Sequence, residues 1–340
     1  MRTGLFAGRG KSYLVPFITA GSGALVVFLM DSFLSSYLLS LVNFILINVI
    51  LAVSLNMTNG FTGLFSLGHP GFMAVGGYTS ALLVFPVAKK ALFLPQLPGW
   101  LSTQQWPLFP ALIVGGIAAA VISLIIGFPV LRLKGHYLAV ATLGFIIIVQ
   151  VVVTNMEDIT RGPLGLNGLP ALTNLWWVYV WVIITVYVAW KLKFSSFGRT
   201  MLAMREDELA AQCLGVPLAK TRIIAFAVGA FFAGIAGGLW AHQVTAITPN
   251  SFSVITAFTL VVMVVIGGTG SITGSICAAI LITLVREALR PMEEASGLYG
   301  INQVLVSAGL LLILVFRPRG LFGNQEPIFM RRWSGAEGKK

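Results

Sequence analysis

Charged residues are scarce in this sequence, and cysteine is almost absent. Only 10% of the 340 residues are charged and 57% are apolar, whereas an ordinary soluble domain has about 25% charged residues. This composition excludes a soluble globular protein. The two cysteines, Cys213 and Cys277, are too few for a disulfide framework. The histidines, cysteines and carboxylates show no spacing typical of a metal site, so we predict no metal centre.

Long uncharged apolar stretches recur along the chain. A membrane-spanning helix needs about 20 apolar residues, and ten segments reach or approach that length. We therefore predict an all-α integral membrane protein with about ten transmembrane helices. The eighth and ninth segments are short, so they are either half-helices or one re-entrant segment within residues 254–285. The predicted segments are 14–30, 34–57, 70–88, 108–131, 138–155, 175–190, 223–244, 254–266, 271–285 and 301–316.

The few charged residues are distributed unevenly between the two sides of this predicted membrane domain. None lies inside a predicted span, and if the N-terminus is cytoplasmic, 17 of the 22 basic residues face the cytoplasm. This bias follows the positive-inside rule, so we predict that both termini are cytoplasmic. The net charge of +11 then reflects topology and not nucleic-acid binding. We predict an N-terminal tail (1–13), a permease domain (14–316) and a basic C-terminal tail (317–340).

The absence of charge inside the spans also bears on the energy source. Ion-driven carriers usually keep acidic or histidine side chains within the membrane. A transporter without them is passive or draws energy from a partner, although backbone carbonyls could still hold sodium at a broken helix. Ser66 and His69, three residues apart in a glycine-rich turn, leave an intramembrane hydrolase as a further alternative.

Two glycine-rich stretches, residues 59–70 and 267–274, interrupt the apolar sequence. Discontinuous helices of this kind line transport pathways, but small residues are equally suited to close helix packing. Asn48, Ala52 and Asn56 are spaced four residues apart and form a narrow polar stripe on one helix. Its amides either bond to neighbouring helices or face a water-filled cavity. We predict a translocation pathway lined by Asn48, Asn56, Ser66, Thr142, Gly268, Thr269 and Ser271.

The most charged internal stretch is the predicted cytoplasmic loop at residues 193–222. Within it, residues 199–214 are predicted to form one amphipathic helix, ended by Gly215 and Pro217. Its acidic centre, residues 206–208, disfavours anionic lipid and favours a groove on a cytoplasmic protein partner. The predicted apolar face consists of Leu202, Ala203, Leu209, Ala210, Cys213 and Leu214.

Several blocks of this sequence, in order over residues 40–320, resemble the M-type permeases of the branched-chain amino acid family of ABC importers. The loop block resembles the coupling motif of importer permeases, although Leu209 stands between the glutamate and the alanines. Many family members have acidic residues near His136 and Ile147 and an arginine near Gln150, which this chain lacks. The matching blocks include Gly68-His69-Pro70-Gly71-Phe72, Leu133-Lys134-Gly135-His136-Tyr137, Thr160-Arg161-Gly162-Pro163, Ser196-Phe197-Gly198-Arg199, Glu208-Leu209-Ala210-Ala211 with Gly215, and Val265-Ile266-Gly267-Gly268.

The resemblance implies a vitamin-importer-like (type II) permease fold in a bacterial inner membrane. It implies four partners: an H-type permease, two ABC ATPases and an extracytoplasmic binding protein. ATP and Mg²⁺ would be bound by the ATPases, and this chain would be neither an enzyme nor a cofactor carrier. Permeases for urea, short amides or other amino acids share the pattern, and an ion-coupled carrier is a further alternative. The residues expected to couple to the ATPase are Arg199, Leu202, Arg205, Glu206, Glu208, Leu209, Ala210, Ala211 and Gly215.

Overall fold

The computed structural model describes residues 11–133, 135–297, 300–317 and 320–323. Lys134 and most of the two predicted tails lie outside these residues. Helices dominate, and a two-residue strand β1 (Leu166–Asn167) pairs antiparallel with β2 (Ala246–Ile247). Within the described residues the helices are α1 (Lys11–Phe33), α2 (Ser36–Thr62), α3 (His69–Val84), α4 (Val87–Phe93), α5 (Gly99–Ser102), α6 (Leu108–Val130), α7 (His136–Asn155), α8 (Glu157–Thr160), α9 (Leu175–Phe194), α10 (Ser196–Glu206), α11 (Glu208–Cys213), α12 (Leu218–Val244), α13 (Val254–Gly267), α14 (Ile272–Ser296) and α15 (Ile301–Phe316).

Nine of the ten predicted segments each lie in one of these helices to within two residues, whereas the third, 70–88, runs across the break between α3 and α4. The chain is a multi-pass helical membrane protein. Within the described part of the chain, seven helical segments are long and apolar enough to cross a bilayer, or eight if α3 and α4 together form one broken span. The seven are Ser36–Thr62, Leu108–Val130, His136–Asn155, Leu175–Phe194, Leu218–Val244, Pro249–Gly267 and Ile272–Ala295.

The eighth and ninth segments, within residues 254–285, are expected from the sequence to be half-helices or one re-entrant segment. The structure differs from that expectation. Both α13, counted with the preceding turn Pro249–Phe252, and α14 are long enough to cross. α14 continues past residue 285 to Ser296 because its last turns carry charged side chains that pair with each other. One such pair joins Arg290 Nε to Glu294 Oε1 at 3.0 Å. The sharp break, of 110°, lies instead between α3 and α4.

The centre of the bundle is α12, which packs against α2, α3 and α6. Small residues allow this close approach, as they do in membrane helices generally. A Cβ atom added at Gly237 would overlap the carbonyl oxygen of Met73, and one at Gly234 would lie 3.0 Å from that of Gly115. The glycines of α12 therefore pack the backbones of neighbouring helices into one core.

The two ends of the bundle are built differently. At the end that carries the strands, here called the β1 end, Lys90 is fully buried and donates hydrogen bonds to the carbonyl oxygens of Leu101 (2.8 Å) and Gln104 (2.7 Å). The Arg161 guanidinium lies 4.2 Å from the ring centroid of Phe93. At the opposite end, here called the α10 end, α2, α9 and α13 terminate beside the short helices α10 and α11.

Candidate functional site

The predicted single helix at residues 199–214 is two helices, α10 and α11, because Asp207 interrupts it. Asp207 is extended (φ −151°, ψ 112°), and its carboxylate accepts a hydrogen bond from Ala210 N at 3.0 Å. Aspartate competes for backbone donors and favours such N-cap positions over helix interiors. The predicted stop after α11 is confirmed, since Gly215 takes a positive φ of 79°.

The apolar face predicted for this segment is not the face that packs against the chain. Met201 and Met204 of α10 and Ala211 of α11 are the buried apolar side chains. Leu209 and Leu214 are 72% and 82% exposed, and Ala203, Ala210 and Cys213 are exposed as well. The segment therefore has an inner face made mainly by α10 and an outward apolar face made mainly by α11.

Arg205 fastens the inner face to two membrane segments. Its guanidinium Nη1 donates to the carbonyl oxygens of Gly60 (2.7 Å) and Thr269 (3.2 Å). Gly60 belongs to the last turns of α2, and Thr269 belongs to the turn between α13 and α14. One side chain of the loop thus joins the two glycine-rich stretches that the sequence separates by about 200 residues.

Two further polar side chains meet at the same turn. Asn56 donates to Ser271 O at 2.9 Å and accepts from Gly270 N at 2.8 Å. Lys193, buried in the last turn of α9, donates to Gly270 O at 2.6 Å. We call this group the polar junction; its members are Asn56, Lys193, Arg205, Thr269, Gly270 and Ser271.

The turn in the polar junction requires glycine. Gly268 and Gly270 take φ values of 107° and 90°, a region that residues with a Cβ rarely adopt. Ser271 then caps α14, its side chain accepting from Gly274 N at 3.1 Å. Sequence reasoning identified Gly268 and Ser271 but missed Lys193. The available signal was a pair of lysines, Lys191 and Lys193, in the last turn of an apolar helix.

The coupling residues predicted from the sequence divide between these two faces. Arg205 and Ala211 turn inward, while Glu208 lies 2.7 Å from Arg222 at the start of α12, in an ion pair that ties α11 to the bundle. Arg199 donates to Ser196 Oγ at 2.9 Å, beside the end of α9. Of the predicted coupling residues, Leu202 and Glu208 are half-buried. The exposed ones are Arg199, Glu206, Leu209, Ala210 and Gly215.

The predicted pathway residues fall into three separate places. Asn56, Gly268, Thr269 and Ser271 lie in or beside the polar junction. Asn48 lies about two turns before Asn56 on α2, and its side chain donates to Thr283 Oγ1 of α14 at 3.0 Å. Ser66 and Thr142 lie together at the irregular segment between α2 and α3.

That irregular segment, residues 63–68, is held by side chains from both of its neighbours. Asn59 donates to Ser66 O at 2.8 Å and accepts from Ser66 N at 3.2 Å. The hydroxyl of Thr142 on α7 accepts from Leu67 N at 2.9 Å. Sequence reasoning missed Asn59, although an amide near a helix end is a common turn former.

His69 does not pair with Ser66. Its Nε2 lies 3.1 Å from the hydroxyl of Ser54 on α2, whereas the Ser66 hydroxyl accepts from Gly68 N at 3.3 Å. The hydrogen-bonded serine and base that a hydrolase requires is therefore not formed by Ser66 and His69. Within the described residues, no three histidine, cysteine or acidic side chains come together as metal ligands.

A cavity of about 180 Å³ lies beside the polar junction. It is bounded by the end of α2, the segment 63–68, α10 and α13. Arg205 and Thr269 belong both to its wall and to the polar junction. The residues that line it are Asn59, Gly63, Leu64, Phe65, Arg205, Val261, Val264, Val265 and Thr269.

Comparisons with known proteins bear on what this arrangement does. A family model described as the permease component of branched-chain amino acid transport systems matches residues 37–315. The high-affinity branched-chain amino acid transport system permease protein LivM of Escherichia coli (strain K12) is 31% identical over 330 residues, which cover 87% of this chain and 72% of the relative.

Two more distant relatives point the same way. The probable branched-chain amino acid transport permease protein LivM of Methanocaldococcus jannaschii is 26% identical over 82% of this chain and 91% of its own length. The high-affinity branched-chain amino acid transport system permease protein LivH of Escherichia coli (strain K12) is 24% identical over the same shares, 82% and 91%. No solved structure matches the chain.

Proposed function

The chain belongs to the family of branched-chain amino acid transport permeases, and from this we propose that it is the M-type membrane subunit of an ATP-driven importer for leucine, isoleucine and valine. The observation that carries the proposal is the match over residues 37–315 together with the similarity to LivM over most of the chain. Its role is to form part of the membrane passage, and the chain is not itself an enzyme.

Four partner chains complete the proposed transporter. A second, H-type permease packs beside this chain in the membrane, which the similarity to LivH supports. Two ABC ATPases bind ATP and Mg²⁺ on the cytoplasmic side, and a binding protein delivers the substrate from outside. No cofactor is assigned to this chain.

We propose a ten-span, type II topology in a bacterial inner membrane with both termini in the cytoplasm. Support comes from the ten apolar segments, nine of which each lie in one helix to within two residues, and from the excess of basic residues on one side. In this topology the α10 end faces the cytoplasm and the β1 end faces outward. The permease domain is residues 14–316, with cytoplasmic tails at 1–13 and 317–340.

Coupling to the ATPase is proposed to run through α11 and α10 in turn. Leu209 and Leu214 are exposed at the α10 end, where an apolar pair suits insertion into a cleft on a partner. The ion pair Glu208–Arg222 and the contacts of Arg205 connect this surface to α12, α2 and the turn before α14. Movement of the ATPase would thereby shift helix ends on both sides of the polar junction.

The translocation pathway is proposed to follow α2, the irregular segment 63–68, α7 and the turn before α14. These elements carry Asn48, Asn56, Ser66, Thr142, Gly268, Thr269 and Ser271. Irregular backbone at membrane depth is tolerated where it is covered by protein or lines a passage. Some of these polar groups bond between separate elements: Asn48 of α2 bonds to Thr283 of α14, and Thr142 of α7 bonds to Leu67 of the irregular segment. Such contacts would have to exchange partners when the passage opens.

The experiment that tests this function begins with purification from the native membrane in mild detergent. Two ATPases and a second permease are expected to co-elute with the chain. The complex in proteoliposomes, with its binding protein, should then accumulate labelled leucine only when ATP is on the ATPase side, and unlabelled isoleucine and valine should compete while urea does not.

Two results would contradict the proposal. Competition by urea or short amides, without competition by isoleucine, would move the substrate to the amide class. A chain that elutes alone and takes up substrate on a sodium or proton gradient would replace the importer with an ion-coupled carrier.

A further inference from the structure

The cavity beside the polar junction has the composition of a small-molecule site. Ligand sites are mostly apolar, with a few polar groups that orient the ligand. Here Val261, Val264 and Val265 of α13, with Leu64 and Phe65, form an apolar wall. Arg205, Asn59 and Thr269 are the polar residues of its lining, here called the polar rim.

Its size suits a ligand of amino-acid dimensions. Cavities of about 150 Å³ hold a molecule as large as benzene, and this one has about 180 Å³. By contrast, the crevice near Tyr78, Gln150 and Phe252 has no room even for a water molecule. An aliphatic side chain of three or four carbons with its backbone carboxylate and amine would fill the larger cavity.

We propose that this cavity is a binding site for the transported aliphatic amino acid at the α10 end of the passage, from which it leaves to the cytoplasm. The branched side chain lies against Val261, Val264 and Val265, and the charged amino-acid backbone lies at the rim formed by Arg205, Asn59 and Thr269. The identity of the ligand rests on the proposed function; the cavity and its chemistry do not.

The site is linked to the coupling loop because Arg205 and Thr269 belong to both. A shift of α10 moves the Arg205 guanidinium, which contacts Gly60 and Thr269, and this changes one wall of the cavity. By linkage, a ligand that prefers one position of α10 is itself bound more weakly in the other. Release of the amino acid would therefore follow the ATPase cycle.

Substrate protection of an engineered thiol tests the site directly. The exposed native cysteines are replaced (Cys213→Ser, Cys277→Ser), and Val261→Cys places one thiol in the cavity wall. The assembled complex in nanodiscs is treated with N-ethylmaleimide, with and without leucine. Leucine should slow labelling about tenfold at ten times its Kd, and lysine should not.

The matched control is Leu133→Cys, a residue exposed in the turn after α6 and outside the cavity. Its labelling should not depend on leucine. A second variant, Val261→Phe, fills the cavity and should lower the turnover of uptake severalfold while the complex assembles. Ile255→Phe, on the exposed side of the same helix, should leave uptake unchanged.

The outcomes separate this inference from the proposed function. If wild-type vesicles import leucine but leucine never protects Val261→Cys, the site is wrong and the function stands. If vesicles import no leucine, the function is wrong whatever the labelling shows. Protection of both Val261→Cys and Leu133→Cys would mean a general conformational change and would also overturn the site.

Discussion

α10 and α11 come from one stretch of sequence with one apolar pattern, yet they differ in what they contact. α10 buries Met201 and Met204 and holds two membrane segments through Arg205. α11 buries only Ala211 and leaves Leu209 exposed. One half of the loop is therefore packed into the folded bundle, whereas the other half leaves its leucine side chains exposed.

The largest effect is expected at the inward half, from Arg205→Ala. The carbonyl oxygens of Gly60 and Thr269 would lose their donor, which costs about 1–3 kcal/mol for each buried acceptor left unsatisfied. Both thermal stability of the purified chain and leucine uptake should fall. Arg205→Lys should recover only part of the stability, because an ammonium cannot reproduce the planar fork. An unchanged melting temperature in Arg205→Ala would contradict the anchoring role.

A large effect of a different kind is expected at the outward half, from Leu209→Asp combined with Leu214→Asp. Interface anchors typically contribute about 2 kcal/mol or more, so association with the ATPase should weaken about 30-fold or more. The melting temperature of the isolated chain should not change, because the side chains of Leu209 and Leu214 are both exposed. The ratio of ATPase to permease after purification gives the measurement.

Leu133→Asp is the control for that double variant, since Leu133 is also exposed, in the turn after α6. It should leave ATPase binding intact. Equal loss of ATPase from both variants would remove the distinction between α11 and the rest of this surface.

An intermediate effect on uptake is expected at the Glu208–Arg222 ion pair, which connects α11 to the bundle. Glu208→Lys places like charges together at the 2.7 Å pair with Arg222 and should reduce uptake severalfold. The exchange Glu208→Arg with Arg222→Glu restores opposite charges and should recover much of the activity. Failure of the exchange, with normal assembly, would mean that Glu208 acts on the partner and not on Arg222.

The smallest effect is expected at the break itself, from Asp207→Ala. Loss of an N-cap costs about 1 kcal/mol, and here it should loosen only α11. Hydrogen exchange of the α11 amides should accelerate while exchange in α10 does not change. Asp207→Asn keeps an acceptor and serves as the control; acceleration spread equally over both helices would mean that they unfold as one unit.

Several features of the fold were predictable because they depend on local sequence. Hydropathy located ten segments, of which nine each lie in one helix to within two residues, and the glycine at 215 correctly marked the end of α11. The break inside the third segment, 70–88, was missed. The N-cap at Asp207 had a local signal as well, an aspartate before a run of helix formers, but the amphipathic pattern on both sides masked it. The ninth apolar segment ends at residue 285 whereas α14 continues to Ser296, because a charged residue ends an apolar stretch without ending a helix.

The partners of the polar side chains were not predictable in the same way. Arg205 is predicted from the sequence only as a residue of the coupling loop, whereas the structure shows that it reaches Gly60, 145 positions earlier in the chain. Asn56 is predicted from the sequence to belong to a polar stripe on one helix, but its partners Gly270 and Ser271 lie more than 200 positions away. A periodic pattern identifies a face of a helix and carries no information about which distant backbone group meets it.

The sequence by itself determined that this is a multi-pass helical membrane protein and to which transporter family it belongs, because apolar length and ordered motifs are written along the chain. The tertiary structure alone decided that two glycine-rich stretches meet at one loop arginine and that a cavity lies beside them. The physical reason is that backbone groups freed by glycine turns must find donors and acceptors when they are buried, and only the packing of helices decides which ones come within reach.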